Sequence, residues 1–120
     1  MFVIRQPQMQ ALAVPVRESF VRRAVESLRE LFPGDARIES EAAARAVVVS
    51  AMQAAEPYGI DRDREILLFT YLFLDLGPGF ERREGHAWIE RTLCDPRFDQ
   101  RDKMEVVYAR LEAEQKRSAE

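Results

Sequence analysis

The sequence predicts an all-α fold, a compact bundle of about five helices around a central apolar helix at residues 61–76. Two features indicate this class. Between residues 66 and 76 the polar groups are limited to Thr70, Asp75 and the hydroxyl of Tyr71, and a helix that is apolar nearly all round has to be enclosed. The sequence on either side repeats apolar residues every three or four positions, which is the period of an amphipathic helix.

Local signals at both ends of the central stretch favour a helix over a buried strand. Asp61 and Asp63 are expected N-caps, and Glu65 places a carboxylate in the first turn, where the helix dipole favours it. Gly77 and then Pro78 follow the last apolar residue, as expected for a helix that ends at a glycine. The eleven-residue apolar run spans about 16 Å as a helix, against roughly 30 Å of bilayer hydrocarbon, so a core helix is predicted and no membrane contact is expected.

The first helical stretch is expected to open near Pro7 and to run to Leu31, before the residues FPG at 32–34 end it. Pro15 removes a backbone donor and clashes with the preceding turn, which predicts a kink or break near residues 12–14 and a sixth helix if the break is complete. The apolar residues of this stretch are spaced by three or four: Met9, Leu12, Val16, Phe20, Ala24, Leu28 and Leu31.

Three further helices complete the predicted bundle. Ser40 is the expected N-cap of a helix at 41–55, whose alanines permit the close approach of a neighbouring helix. A short amphipathic segment follows at 86–94 and ends before an Asp-Pro pair. Asp99 is expected to cap a last helix that runs to about Lys116.

Length, charge and cysteine content limit the class of protein. The 120 residues, 47% hydrophobic and 32% charged, predict a single helical domain over 1–120, with residues 113–120 as a fraying C-terminal tail. The net charge of −3 argues against nucleic acid as a partner, since phosphate binding needs a basic face. Cys94 is the only cysteine, which excludes an internal disulfide, and the first ten residues lack a signal-peptide pattern. A cytoplasmic location is therefore expected.

The sequence contains no residue pattern typical of catalysis or metal binding. His86 and Glu90 form an i, i+4 pair, but two ligands without a third are a weak metal signal, and a helix-start role explains both. Cys94 lies near a helix C-terminus, where the dipole opposes a thiolate, so it is expected to be a small buried hydrophobe. Phosphate-loop, GxSxG and HExxH motifs are also missing from the sequence. No catalytic residue, metal ligand or cofactor is expected, and the protein is predicted not to be an enzyme.

Asp75 is the polar residue whose position in an apolar stretch is hardest to explain. It lies in the last turn of the central helix, where the dipole disfavours a carboxylate, and Leu74 and Leu76 flank it. If buried, Asp75 requires a partner, most simply an arginine from another helix. If exposed, it marks the side of the central helix that reaches the surface. The buried arrangement is slightly favoured.

Several short motifs together resemble one family of small bacterial proteins. They are Val3 to Arg5, Gln8-Met9, Phe32-Pro33, Tyr58 to Ile60 and Leu76 to Phe80. Over roughly residues 2–110, the chain looks like small helical proteins that are encoded beside type VI secretion spike proteins and effectors. Some of those proteins are similar to co-chaperones that work with a dedicated effector chaperone before loading onto the spike. The resemblance implies a cytoplasmic adaptor and supplies no catalytic residue.

The expected function is a non-catalytic adaptor or co-chaperone that assists the loading of a type VI secretion effector together with an effector chaperone. The alternative is an immunity protein that binds and neutralises a cognate toxin, although a net charge of −3 is mild for a protein that mimics nucleic acid. An enzyme that uses His86 and Glu90 is a weaker third hypothesis, because two residues do not make a site.

Three large aromatic residues in or beside predicted loops, Phe80, Trp88 and Phe98, are the candidate anchors for a protein partner. Capping of the open end of the helical core is the more favoured explanation for all three. A homodimer, or a monomer that dimerises weakly, is also expected, because the narrow apolar stripes of the other helices would leave the central helix incompletely covered.

Overall fold

The computed structural model describes residues 17–119, and these residues form five α-helices with no β-strand among them. The helices in chain order are α1 (Glu18–Leu31), α2 (Glu41–Ala55), α3 (Asp63–Leu76), α4 (Ala87–Leu93) and α5 (Gln100–Ala119). Short 3-10 turns lie between them at Ala36–Ile38, Glu56–Tyr58 and Phe80–Arg82. The predicted all-α class is confirmed. The predicted helix start near Pro7 and the break at Pro15 lie outside the described residues.

Helix α3 is the central element, as predicted. Helices α1, α2 and α5 all contact it, and so does the 3-10 turn at Phe80–Arg82. Phe69 and Thr70 of α3 are fully buried, and the Thr70 hydroxyl donates a hydrogen bond of 2.7 Å to the carbonyl of Ile66, which satisfies the buried oxygen. Neither α3 nor any other helix within residues 17–119 is both long enough and apolar enough to cross a membrane.

Helix α2 has the predicted bounds and the predicted cap. The Ser40 hydroxyl oxygen accepts a hydrogen bond of 3.0 Å from the backbone N–H of Ala43. Ala44, Ala51 and Ala55 are all fully buried, and α2 packs against both α1 and α3. The small side chains therefore serve the close helix approach that the sequence predicts.

The prediction that Asp61 and Asp63 cap α3 is wrong, since no side chain of the described residues accepts a hydrogen bond from the first helical N–H groups. The backbone just before α3 is instead held by a residue that is distant in sequence. The side-chain oxygen of Gln100 accepts hydrogen bonds from the backbone N–H groups of Asp61, at 3.0 Å, and Arg62, at 2.9 Å, and its amide nitrogen donates to the Asp61 carboxylate at 2.8 Å. Asp63 forms ion pairs with two arginines near the start of α1. The first residue of α5 thus holds the turn that leads into α3.

Gln100→Ala is expected to lower the free energy of unfolding by about 1 kcal/mol, the usual net contribution of an intramolecular hydrogen bond. The reason is that the backbone N–H groups of Asp61 and Arg62, just before α3, lose their acceptor. Urea denaturation measures the change. Gln53→Ala, at an exposed site on α2, is the matched control and should leave stability nearly unchanged. Equal losses in the two variants would contradict this role of Gln100.

Helix α5 begins as predicted and ends later than predicted. The Asp99 carboxylate accepts a hydrogen bond of 2.8 Å from the backbone N–H of Asp102, which confirms the N-cap. The helix continues to Ala119, beyond the end predicted near Lys116, so the described part of the expected tail at 113–120 is helical. Its last turns consist mainly of Glu, Gln, Lys, Arg and Ala, which have high helix propensity even without a buried face.

Helix α4 shows the predicted buried stripe, but the prediction that Cys94 is buried is wrong. Trp88, Ile89 and Leu93 are buried, while Cys94 is an exposed free thiol directly after the helix. Leu93 continues the stripe of Ile89 one turn on, and Cys94 lies one position further, which is about 100° round the helix axis. That rotation places the thiol on the solvent side.

Candidate functional site

The predicted aromatic anchors are mostly parts of the core. Phe80 is fully buried, with its ring centroid 5.3 Å from that of Phe69. Trp88 is also buried, and the guanidinium of Arg110 lies 4.3 Å from its ring centroid. Phe98 is half-buried. Phe80 and Trp88 therefore have almost no surface to offer a partner in this fold, and only Phe98 keeps a surface that a partner can contact.

Asp75 is exposed, so the prediction that it is buried against an arginine is wrong. Arg64 and Asp75 are eleven residues apart on α3, about three helical turns, and both lie on the side that reaches solvent. Arg37 is close enough for charge interaction: its pKa is raised, mainly by its hydrogen bond to Asp35 and to a smaller extent by the charge of Asp75. Asp75 thus marks the surface side of the central helix, which was the second arrangement considered.

A groove lies beside Asp75, between the C-terminal end of α3 and the second half of α5, and is called the α3/α5 groove below. Its volume is about 450 Å³, within the roughly 300–1,000 Å³ typical of ligand-binding clefts. The apolar part of its lining comes from both helices: Leu72, Leu76, Tyr108 and Leu111. The groove therefore offers an apolar floor that is open to solvent.

The charged groups that line the α3/α5 groove are carboxylates. Asp75 contributes from α3, and Glu112 and Glu114 contribute from α5. Among the described residues that line it there is no lysine or arginine. Arg110 pairs with Glu114 at 3.7 Å, whereas neither Asp75 nor Glu112 has a hydrogen bond or ion pair with another residue of the described range. The groove thus has an apolar floor and a negative edge.

Tyr108 links the two helices that form the α3/α5 groove. Its hydroxyl donates a hydrogen bond to the backbone carbonyl of Leu68 and so ties α5 to α3. Burial raises the pKa of Tyr108, and nearby Tyr71 and Asp75 raise it further. The phenol therefore stays neutral at physiological pH and keeps its donor role.

His86 lines the groove, and it forms no hydrogen bond or ion pair with Glu90, the residue with which it makes the weak i, i+4 signal in the sequence. The His86 Nδ1 atom is buried without a hydrogen-bond partner among the described residues, and the charge of Glu90 acts instead on Tyr58. Within residues 17–119, no three His, Cys, Asp or Glu side chains are grouped so that they could hold a metal ion. The arrangement suits binding through apolar contact and charge.

A second groove of about 450 Å³ lies between α1 and α2. Its lining contains three carboxylates and three arginines, and Arg45 forms two hydrogen bonds of 2.7 Å with Glu18. A lining with both signs of charge in equal number selects the charge of a partner less strongly than a lining with one sign. The α3/α5 groove is therefore the stronger candidate site.

A buried polar pair that the sequence does not reveal joins the two 3-10 turns on either side of α3. The Tyr58 hydroxyl donates to the Glu81 carboxylate at 2.6 Å, and Glu81 is only 3% exposed. Burial raises the pKa of Tyr58, as do the hydrogen bond to Glu81 and its charge. Glu81 begins the charged run ERRE at 81–84, which is typical of an exposed loop, so sequence reasoning had no signal for its burial.

Tyr58→Phe is expected to lower the free energy of unfolding at neutral pH by about 1–3 kcal/mol, because Glu81 stays buried without its closest donor. Since the folded-state pKa of Tyr58 is raised, its contribution is fully present below the unfolded-state pKa of about 10 and is lost as the pH rises above that value. The gap in stability between the natural protein and Tyr58→Phe should then narrow in alkali.

Denaturation at several pH values measures both effects. Tyr71→Phe is the control, since the Tyr71 hydroxyl has no hydrogen bond to another described residue and its ring is only partly buried. If Tyr58→Phe lowers the free energy of unfolding no more than Tyr71→Phe does, the buried pair does not have the proposed role.

No protein-family model and no curated protein match the sequence, and no solved structure matches the fold. What the chain does is therefore inferred from its own residues and geometry.

Proposed function

We propose that this protein is a non-catalytic adaptor of the bacterial cytoplasm, a co-chaperone that helps to load a type VI secretion effector together with an effector chaperone. The observation that carries the proposal is the α3/α5 groove, an open apolar surface built on the central helix. Partner proteins commonly insert an apolar anchor into such a surface and surround it with polar contacts.

The motifs that resemble effector co-chaperones support the same proposal. The motif at Tyr58 to Ile60 lies just before α3, and the motif at Leu76 to Phe80 begins at its last residue. Leu76 also lines the α3/α5 groove. Two of the five motifs that carry the resemblance thus lie at the two ends of the helix on which the groove is built.

The size of the groove suits one or two inserted side chains, and a stable complex needs more contact than that. Specific protein interfaces bury roughly 1,200–2,000 Å² in total. The exposed surface of α3 and α5 that borders the groove, which includes Asp75 and Glu112, can supply further area. Removal of a central anchor from such an interface costs about 2 kcal/mol or more.

Self-association as a weak homodimer remains a prediction. Among the described residues, the large hydrophobic side chains that are exposed are Leu31, at 59%, and Val106. Both lie outside α3, so the described part of the surface gives little support to the idea that the central helix is left uncovered. A strict monomer in light scattering at high protein concentration would reject the homodimer.

Co-expression with the effector chaperone and the effector encoded beside the gene, followed by pull-down, tests the proposal. The natural protein should co-purify with one or both, and a strain without it should export less effector. Gln115→Trp, which fills the α3/α5 groove without changing its charge, should weaken the pull-down. Gln53→Trp, at an exposed site on α2, is the matched control and should bind normally.

Two outcomes would replace the proposal. Binding to neither protein, with normal effector export from the deletion strain, rules out the adaptor role. Binding to the effector alone, with rescue of cells from its toxicity, favours an immunity protein instead.

A further inference from the structure

We propose that the α3/α5 groove takes a basic segment of the partner protein, in which an apolar side chain fills the floor and an arginine or lysine meets the carboxylates at the edge. This inference rests on the proposed adaptor function and adds the chemistry of the partner. Three features of the groove support it: the apolar floor, the carboxylates at the edge and the C-terminal turn of α3.

The floor selects an apolar side chain. Leu72, Leu76 and Leu111 contribute aliphatic surface, and the hydrogen bond of Tyr108 to α3 holds the fourth floor residue in place. A leucine, methionine or phenylalanine that enters this space removes part of its apolar surface from water, which favours binding. A polar or charged side chain at the same position would find no hydrogen-bonding group on the floor other than those already engaged.

The edge selects a cation. Asp75 on α3 and Glu112 on α5 both line the groove, and neither has an ionic partner in the described range. Like charges that line one groove repel each other, and a cation bound there relieves the repulsion and is attracted by both. The guanidinium of arginine, with its several donors in one plane, is especially suited to bridge two carboxylates.

Two arginines near the groove are already engaged: Arg110 pairs with Glu114 and lies over the ring of Trp88, and Arg37 binds groups of its own loop and of α3. Arg37 donates two hydrogen bonds to the Asp35 carboxylate, at 3.0 and 2.7 Å, and one to the backbone carbonyl of Leu74. Its guanidinium holds the pKa of Asp35 down at about 2. Arg37 therefore neutralises mainly the Asp35 carboxylate of its own loop. The carboxylate of Asp75 stays exposed to solvent and accessible to a partner.

The helix end adds to the negative potential. The last turn of α3, which includes Asp75 and Leu76, borders the groove, and the C-terminal end of a helix carries about half a negative charge from its unpaired carbonyl groups. Carboxylate side chains and the helix dipole therefore act in the same direction. An acidic or phosphorylated segment would meet repulsion at this surface.

The test uses two amidated peptides, LAARL and LAAEL, which differ at one position where the first has an arginine and the second a glutamate. Each is added to the full-length, isotope-labelled protein. Amide NMR spectra are recorded at about 5 mM peptide, where a complex with a Kd of ~1 mM is mostly formed. LAARL should shift the amide signals of Asp75, Leu76 and Glu112 and leave those of Arg22 and Arg45 in the α1/α2 groove unchanged. LAAEL should shift none of them.

Two charge variants at exposed sites make the test specific. Glu112→Lys should weaken LAARL binding at least fivefold, whereas Glu26→Lys, at an exposed site on α1, should leave it unchanged. Added salt should weaken the binding of LAARL to the natural protein, because the charges lie close to solvent. Circular dichroism of both variants checks that they fold.

Equal shifts by the two peptides, shifts confined to the α1/α2 groove, or no shifts at all would each overturn the inference. So would a homodimer in light scattering that Glu112→Lys dissociates, because the occupant would then be a second copy of the chain. The peptide experiment and the pull-down test different claims. A positive pull-down without peptide binding would support the adaptor function and contradict the proposed chemistry of the groove. Peptide binding with a negative pull-down would support the chemistry of the groove and contradict the role in secretion.

Discussion

Phe69→Ala is expected to lower the free energy of unfolding by about 3–5 kcal/mol, a large share of the roughly 5–15 kcal/mol that holds a typical domain folded. Phe69 is fully buried in the middle of α3, and its ring centroid lies 6.4 Å from that of Tyr58 and 5.3 Å from that of Phe80. The substitution removes both aromatic contacts and leaves a cavity that Tyr58 and Phe80, each fixed in its own 3-10 turn, cannot easily close.

Urea denaturation followed by circular dichroism measures this loss. Phe73→Ala is the matched control, because it makes the same chemical change one turn further along α3 at a residue that is only partly buried. Its loss should be clearly smaller than that of Phe69→Ala. Equal losses would show that the depth of burial does not differ between the two sites.

Gly77→Ala is expected to cost about 1–3 kcal/mol from the backbone alone, with a further cost from a steric clash. Gly77 ends α3 with φ 97° and ψ 161°, a conformation that is essentially restricted to glycine. A Cβ atom at this position would also lie 2.5 Å from Nη2 of Arg83, so the guanidinium would have to move.

Two variants separate the backbone cost from the clash in urea denaturation. Gly34→Ala, at φ 82° with no atom within 4 Å of the added Cβ, should show a backbone cost of about 1–2 kcal/mol and no clash. The double variant Gly77→Ala, Arg83→Ala should recover the part due to the clash, measured against Arg83→Ala alone. Full recovery in the double variant would contradict the backbone assignment.

The parts of the fold that could be predicted from the sequence are those set by neighbouring residues. Ser40 and Asp99 were identifiable as caps because each accepts a bond from an N–H group three residues ahead. Gly77 was identifiable as the end of α3 because its positive φ is a local requirement. The period of apolar residues gave the number and order of the described helices for the same reason.

The errors concern residues whose environment depends on distant parts of the chain. The rotation of α3 within the bundle decides that Asp75 is exposed, and periodicity does not fix this rotation in a stretch that is apolar nearly all round. Glu81 is buried because Tyr58, 23 positions earlier, receives it. Cys94 is a local exception: it is exposed because it lies about 100° round the helix axis from the buried Leu93.

The candidate site was missed for the same physical reason. Large aromatic residues near loops can be read from the sequence, but their burial depends on what packs above them, as Phe80 and Trp88 show. The α3/α5 groove joins the last turn of one helix to the second half of another. Carboxylates in two helices look like ordinary surface charge until the fold brings them to one edge.

Side chains from other elements bind the chain at both ends of α3: Gln100 binds the N–H groups of Asp61 and Arg62 just before the helix, and Arg37 binds the carbonyl of Leu74. A 14-residue helix is marginal in water by itself. The core helix is therefore expected to open together with the contacts that hold its ends. The amide protons of Asp61 and Arg62 should exchange with solvent when Gln100 leaves them, so their exchange rates would report how often the start of α5 detaches from the core.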